Sequence, residues 1–302
     1  MNDRRVMLVP NQLGSVEHCY HFLLGYLCPI VLWLERHPRT PVTVRDCGPM
    51  TPWLDLIRLW ADIDVIAPGT MLQRVVGRHQ PMSVLPRLDD PSLFDGGAFR
   101  ACPTRVRSGL DGELRHAAGG IVVTDRGPAD PFYASSVSEI PTAGSGRRSV
   151  PNIADVARAL ESVGPVRLLD AATLNPQSQV EAFTSTMTLV GQHGAGLANM
   201  VWMAPGATVI EIMPPMGSWA ERLFAALADS LGMGYARVTQ DGSDSPVRIA
   251  DVRAAIAAAS SPRVMTRGEQ LRRRGSRVKA SAKLRVRRWP AVSRLAGALR
   301  RS

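Results

Sequence analysis

The densest run of chemically capable residues is LVGQHGAGLANMVWMAPGATVIEIMPP, residues 189–215. A buried strand expected over residues 188–191 meets a helix expected from about 197 to 203, through a turn holding Gly191, Gly194 and Gly196. Glycines there let the backbone come close to a ligand, and the free amides of a helix N-terminus favour an anion such as a diphosphate. His193 stands in the same turn, where its ring can donate to a phosphate oxygen. Glu211 ends the next strand, expected over residues 207–212, at a sheet's carboxyl edge, from which a carboxylate accepts ribose hydroxyls. The same spacing also fits a tight turn with His193 packed as a satisfied polar residue, because a few glycines between strand and helix are a weak signal.

Two other patterns invite a metal reading and do not sustain it. Asp62-Ile63-Asp64 is a D-x-D triplet able to hold a metal and a phosphate, but a three-residue pattern recurs by chance, and this one leads into a strand. The four cysteines, Cys19, Cys28, Cys47 and Cys102, show no C-x-x-C spacing and are too few for a disulfide-built fold, so a reducing compartment is expected and a zinc cluster is not.

Positioning these groups requires an alternating α/β chain with largely parallel sheets. Strands are expected over residues 6–9, 41–45 and 64–67, with helices over 16–36 and 51–60, the latter opened by Thr51 as cap with Pro52 in its first turn. From 69 to 118 the pattern weakens into Pro-, Arg- and Gly-containing connections, and a lobe boundary is placed there. Beyond it, strands are expected over 120–124, 166–170 and 235–238, with helices over 152–163 (capped by Asn152), 176–185 and 219–231. The resulting division is 1–118, 119–262 and 263–302, two α/β lobes with a cleft between them and a C-terminal tail.

Charge separates the tail from the rest. The 302 residues carry a formal +10, but residues 263–302 hold fourteen basic residues and one acid, Glu269, so the tail is +13 and the body −3. Within the tail, Leu284, Trp289, Val292, Leu295 and Leu299 fall near one helical face among arginines, interrupted by Pro290. Such a segment suits an anionic membrane surface, where each basic residue adds about 1 kcal/mol; a solvated, disordered tail is the plainer alternative. It lacks a folded reading module and interleaved aromatics, so no nucleic-acid partner is expected. The longest apolar run, residues 22–34, is too short to span a bilayer, and the N-terminus lacks the features of a secretory signal. The expected location is cytoplasmic, peripheral on the inner face of the cell membrane.

The run GQHGAGLANMVWMAPGATVIEI resembles the signature of glycosyltransferase family 61. IVVTDRG, followed by GSGRRSVPNIADVARAL, is similar to that family's strand with an arginine-bearing loop and its paired arginines before a helix. HCYHFLLGYLCPIV is similar to its N-terminal helix carrying a histidine and an aromatic residue. The resemblance implies a GT-B architecture of two Rossmann-like lobes. It implies inverting, metal-independent transfer of a hexosyl or pentosyl group from a nucleotide-sugar donor, UDP-linked, to a glycan or lipid-linked glycan acceptor in polysaccharide biosynthesis. No cofactor is implied. On that basis residues 1–118 form the acceptor side and residues 119–262 bind the nucleotide sugar. Catalysis falls to His21 as general base or acceptor contact, with Glu17 as a carboxylate alternative for the base and His18 as a second histidine. The donor diphosphate falls to Arg126, Arg147, Arg148, His193, Gly194 and Gly196, since guanidinium groups contact phosphate in a bidentate, charge-assisted way. The ribose falls to Glu211. The alternative is a non-catalytic relative that binds nucleotide or glycan without transfer.

Overall fold

Short β-branched runs form two all-parallel sheets. The structure is a computed structural model describing residues 5–8, 15–67, 75–79, 96–110, 120–134, 144–216 and 220–259. By internal contacts the chain divides into Met1–Pro262 and Arg263–Ser302; the tail and its expected amphipathic helix lie outside the described residues.

The first sheet contains β1 (Arg5–Leu8), β2 (Val42–Arg45), β3 (Ile63–Ile66) and β4 (Val75–His79), in the order β3-β2-β1-β4. Four helices accompany it: α1 (Cys19–Phe22), α2 (Cys28–Arg36), α3 (Asp55–Arg58) and α4 (Gly96–Gly109). The long helix expected over residues 16–36 starts three residues later and is interrupted by a π-helical turn, Leu23–Leu27. The cause is local. Pro29 has no N–H for the i→i−4 ladder, and the preceding Cys28 N–H reaches back five residues to the Leu23 carbonyl, so the turn widens where the ladder is broken.

Two expectations for this lobe are corrected. Residues 69–118 are not only connections, because β4 completes the sheet and α4 is a full helix. Sequence pattern hid them because VVGRH is a weak strand signal and α4 carries glycines and Pro103, costs that tertiary contacts with α2, α3 and α7 override. Thr51 caps no helix. It sits inside a 3₁₀ segment, Gly48–Leu54, accepting from Cys47 N–H at 2.7 Å and donating to Asp46 Oδ1.

The second sheet contains β5 (Gly120–Asp125), β6 (Val166–Asp170), β7 (Thr186–Gln192), β8 (Thr208–Met213) and β9 (Gly234–Thr239), in the order β6-β5-β7-β8-β9. Its helices are α5 (Ile153–Leu160), α6 (Pro176–Thr184), α7 (Leu223–Leu231) and α8 (Ile249–Ala259), with a 3₁₀ segment at Ala195–Trp202 where an α-helix was expected. Successive strand residues alternate between two apolar clusters, as the two-residue period of a strand requires. Val123, Val190, Ile210 and Ile212 pack with α5 and α8, while Val122, Leu189 and Val209 face the other cluster. Asn152 occupies the N-cap of α5 without capping it; its amide pairs with both backbone groups of Val247 instead.

The larger apolar cluster runs from Leu8 to Met233 and so belongs to both sheets. At its centre the rings of Trp53 and Trp202 stack 5.6 Å apart at 11°, both essentially unexposed. Among the described residues no helix is long and apolar enough to cross a membrane.

Candidate active site

In the second sheet β6 and β8 lie on opposite sides of the β5–β7 pair, so the connections leaving β5 and β7 diverge and a crevice opens beyond their carboxyl ends. A cavity of about 550 Å³ lies there, within the size range of small-molecule sites. The second lobe contributes Thr124 and Asp125 at the end of β5, Arg126 just after it, Gln192 at the end of β7, and Ala195, Gly196 and Asn199 beyond it. The first contributes His18 and Cys19, which follow β1, and Pro49, Met50, Pro52 and Trp53, which follow β2.

Three arginines converge on this space. Arg126 Nη2 donates to the His193 carbonyl at 3.0 Å, and a Cβ on Gly194 would push that guanidinium aside, so glycine lets Arg126 sit against the turn. Arg147 and Arg148 arrive on the loop before α5. Ser145 N–H donates to the Gly127 carbonyl at 2.7 Å and so ties that loop to the one after β5. The arginines strain one another. Burial, then the charges of Arg148 and Arg147, push Arg126 down to about 10, with Asp170 pulling the other way. Burial and Arg147 likewise lower Arg148, whose buried Nε has no hydrogen-bond partner. Clustered, desolvated cations of this kind make a site for an anion.

The neighbouring frame is closely bonded. Gln192 Nε2 lies 2.9 Å from the Ser149 carbonyl, 3.0 Å from that of Ser243 and 2.7 Å from Gln240 Oε1, fixing the end of β7 against the arginine loop. A Cβ at Gly196 would meet no atom within 4 Å, so this glycine leaves room beside the first turn of the 3₁₀ segment.

Of the residues singled out in the sequence, Arg126, Arg147, Arg148, Gly196 and His18 line the cavity, while Gly194 lies against Arg126 just behind it. His193, Glu211, His21 and Glu17 do not line it. His193 N–H donates to the Ile212 carbonyl at 2.8 Å, and its Nδ1 lies 2.5 Å from Glu211 Oε1. Glu211 is fully buried, and Tyr235 donates to its other oxygen. This carboxylate therefore ties His193 of the turn to Tyr235 of β9 and lies outside the cavity lining. His21 sits edge-on to Tyr20 at 5.3 Å. Glu17 is buried with Oε1 3.9 Å from Arg45 Nη2, and its backbone carbonyl accepts from Tyr133 Oη at 2.6 Å. Asp62 pairs with Arg5 at 2.7 Å before β3, away from this cavity. Among the described residues no three His, Cys, Asp or Glu side chains gather as a metal cage would require. Asp170, Gln192, Asn199 and Tyr133 at the cavity were not singled out beforehand; the available signal was that Asp170 and Gln192 end parallel strands.

A protein-family model described as Glycosyltransferase 61 matches residues 19–210, most of the two-sheet body. The chain belongs to glycosyltransferase family 61. The match takes in the first-lobe helices, the arginine loops and the HGAG turn of this family 61 chain, and ends within β8. No curated protein matches the chain.

Proposed function

We propose that this protein is an inverting, metal-independent glycosyltransferase of GT-B type that moves a sugar from a UDP-linked donor to a hydroxyl of a glycan or lipid-linked glycan. The observation that carries the reading is the convergence of Arg126, Arg147 and Arg148 beside the HGAG turn at the β5–β7 crevice. A leaving diphosphate develops negative charge as the glycosidic bond breaks, and preorganised guanidinium groups and backbone amides stabilise it without a divalent ion. The acceptor enters along the first lobe, whose contribution to the cavity is largely apolar and excludes water from the reacting centre. The basic tail holds the enzyme peripherally on an anionic membrane from the cytoplasmic side, where lipid-linked acceptors are found.

The test is thermal unfolding of the full chain with UDP, UDP-sugars and inorganic pyrophosphate, with and without EDTA. Ligand at 100 times its Kd stabilises by about 2.7 kcal/mol. The expected result is a shift with UDP and its sugars that survives EDTA and is lost in Gly196→Val. Loss on adding EDTA would overturn metal independence, and no shift with any nucleotide would overturn the donor reading. UDP binding with no turnover of any UDP-sugar would favour the non-catalytic relative.

A further inference from the structure

We propose that His18, rather than His21 or Glu17, is the general base that takes the proton from the acceptor hydroxyl. The inference rests on the transfer reaction proposed above and follows from how the cavity is divided between the lobes. Among the described residues, every arginine at the cavity comes from the second lobe, as do its three aspartates, Asp125, Asp130 and Asp170. Each aspartate already closes a backbone turn with its Oδ1: Asp125 accepts from Arg126 N–H at 2.6 Å, Asp130 from Phe132 N–H at 2.8 Å and Asp170 from Ala172 N–H at 2.9 Å. They stand in the lobe that holds the arginines and so the leaving diphosphate.

The base belongs on the side from which the acceptor comes. There the described residues of the first lobe supply His18, Cys19, two prolines, Met50 and Trp53, and among these His18 and Cys19 can exchange a proton. Burial pushes the Cys19 thiol up to about 12, so at neutral pH it holds its proton. His18 remains. Its ring packs on Tyr133 at 4.9 Å, and its buried Nε2 has no hydrogen-bond partner.

The step balances as a single displacement. The acceptor O–H gives its proton to an imidazole nitrogen of His18, and the oxygen forms a bond to the anomeric carbon. The bond from that carbon to the diphosphate oxygen breaks with its electron pair staying on the diphosphate. The groups facing His18 favour the neutral, accepting ring. Burial and the charge of Arg147 lower its proton affinity and Glu17 raises it. Cys19 is its chain neighbour, and Tyr133, held by burial above the usual phenol range, presents a neutral ring.

The experiment follows the His18 ring by NMR in the full-length protein during titration with inorganic pyrophosphate and UDP. Alongside, nucleoside diphosphate release is measured from UDP-glucose, UDP-N-acetylglucosamine, UDP-galactose and UDP-xylose by the parent, His18→Gln and His21→Gln. The expected result is an upward shift of the His18 titration midpoint when pyrophosphate binds. His18→Gln lowers kcat by about 100-fold or more, with UDP affinity within threefold of the parent. A His18 midpoint indifferent to bound pyrophosphate overturns the assignment, as does activity lost with His21 rather than with His18. Equal loss of kcat and UDP affinity in His18→Gln makes it a binding residue and also overturns it. Failure of pyrophosphate and UDP to bind the parent at all overturns the donor reading instead, which keeps the two failures distinct.

Discussion

The two lobes end their parallel strands at the same cavity and furnish it in opposite ways. The second lobe's side is charged and cross-bonded: three arginines, three aspartates engaged in turns, and a glutamine tying β7 to the arginine loop. The first lobe's side is apolar and proline-rich, with one half-buried histidine. On the proposed transfer, the contrast assigns each cost of separating charge to one side of the cavity. The side that must stabilise a growing anion keeps strained cations in place with a rigid frame. The side that must receive a proton needs one neutral base and little else.

This division depends on the lobes being fixed to each other, and the Trp53–Trp202 stack is where that is most exposed to test. Trp202→Ala removes a fully buried ring from a cluster shared by both sheets and should destabilise by about 3–5 kcal/mol in urea unfolding. A much smaller loss would mean that the lobes fold independently and the stack is incidental. Next in size is the charged side itself. Arg147→Ala combined with Arg148→Ala should weaken UDP binding by about 100-fold, since a hydrogen bond to a charged group contributes about 1.5–3 kcal/mol. Calorimetric titration giving less than a threefold loss would move the anion elsewhere. A smaller effect has the opposite sign for stability: Arg148→Leu should raise the stability of the free protein by about 1 kcal/mol while weakening UDP binding, because it removes a buried, unpartnered Nε beside a like charge.

The same contrast explains what was legible in the sequence. The second sheet read well because its strands carry short β-branched and aliphatic stretches with Gly or Pro close to most of their ends; β6, expected over 166–170, spans Val166–Asp170. The HGAG turn read well because glycines between a strand and the next element leave a visible trace; here Gly194 lets Arg126 approach and Gly196 leaves open space beside the cavity. β4 and α4 did not, because their stability comes from strand pairing and helix packing rather than from propensity. Glu211 is a related case. Ending a strand at the carboxyl edge predicts nearness to a ligand, yet its orientation was settled by His193 and Tyr235, partners that sequence separation conceals. His18 and His21 lie within one turn of each other, and sequence pattern does not say which faces the crevice. The late start of α1 decides it, leaving His18 as an extended N-cap residue outside the helix.

That extended N-cap position yields the smallest predicted effect. Burial and Arg147 hold the His18 imidazole below its ordinary value of 6.5 in the folded state. The unfolded chain therefore binds more protons between the folded value and 6.5, and stability rises with pH across that window. Above 6.5 the contribution is complete, and as pH falls through the folded value it is lost. His18→Gln should flatten this part of the pH–stability curve and leave the curve above pH 7 unchanged, which urea unfolding at half-unit pH intervals will show. Saturating pyrophosphate should compress the same window in the parent protein, because an anion beside Arg147 cancels the charge that opposes protonation of His18. A window that persists unchanged in His18→Gln would assign the titration to another group. It would also break the proposed separation of the proton-accepting side from the anion-holding one.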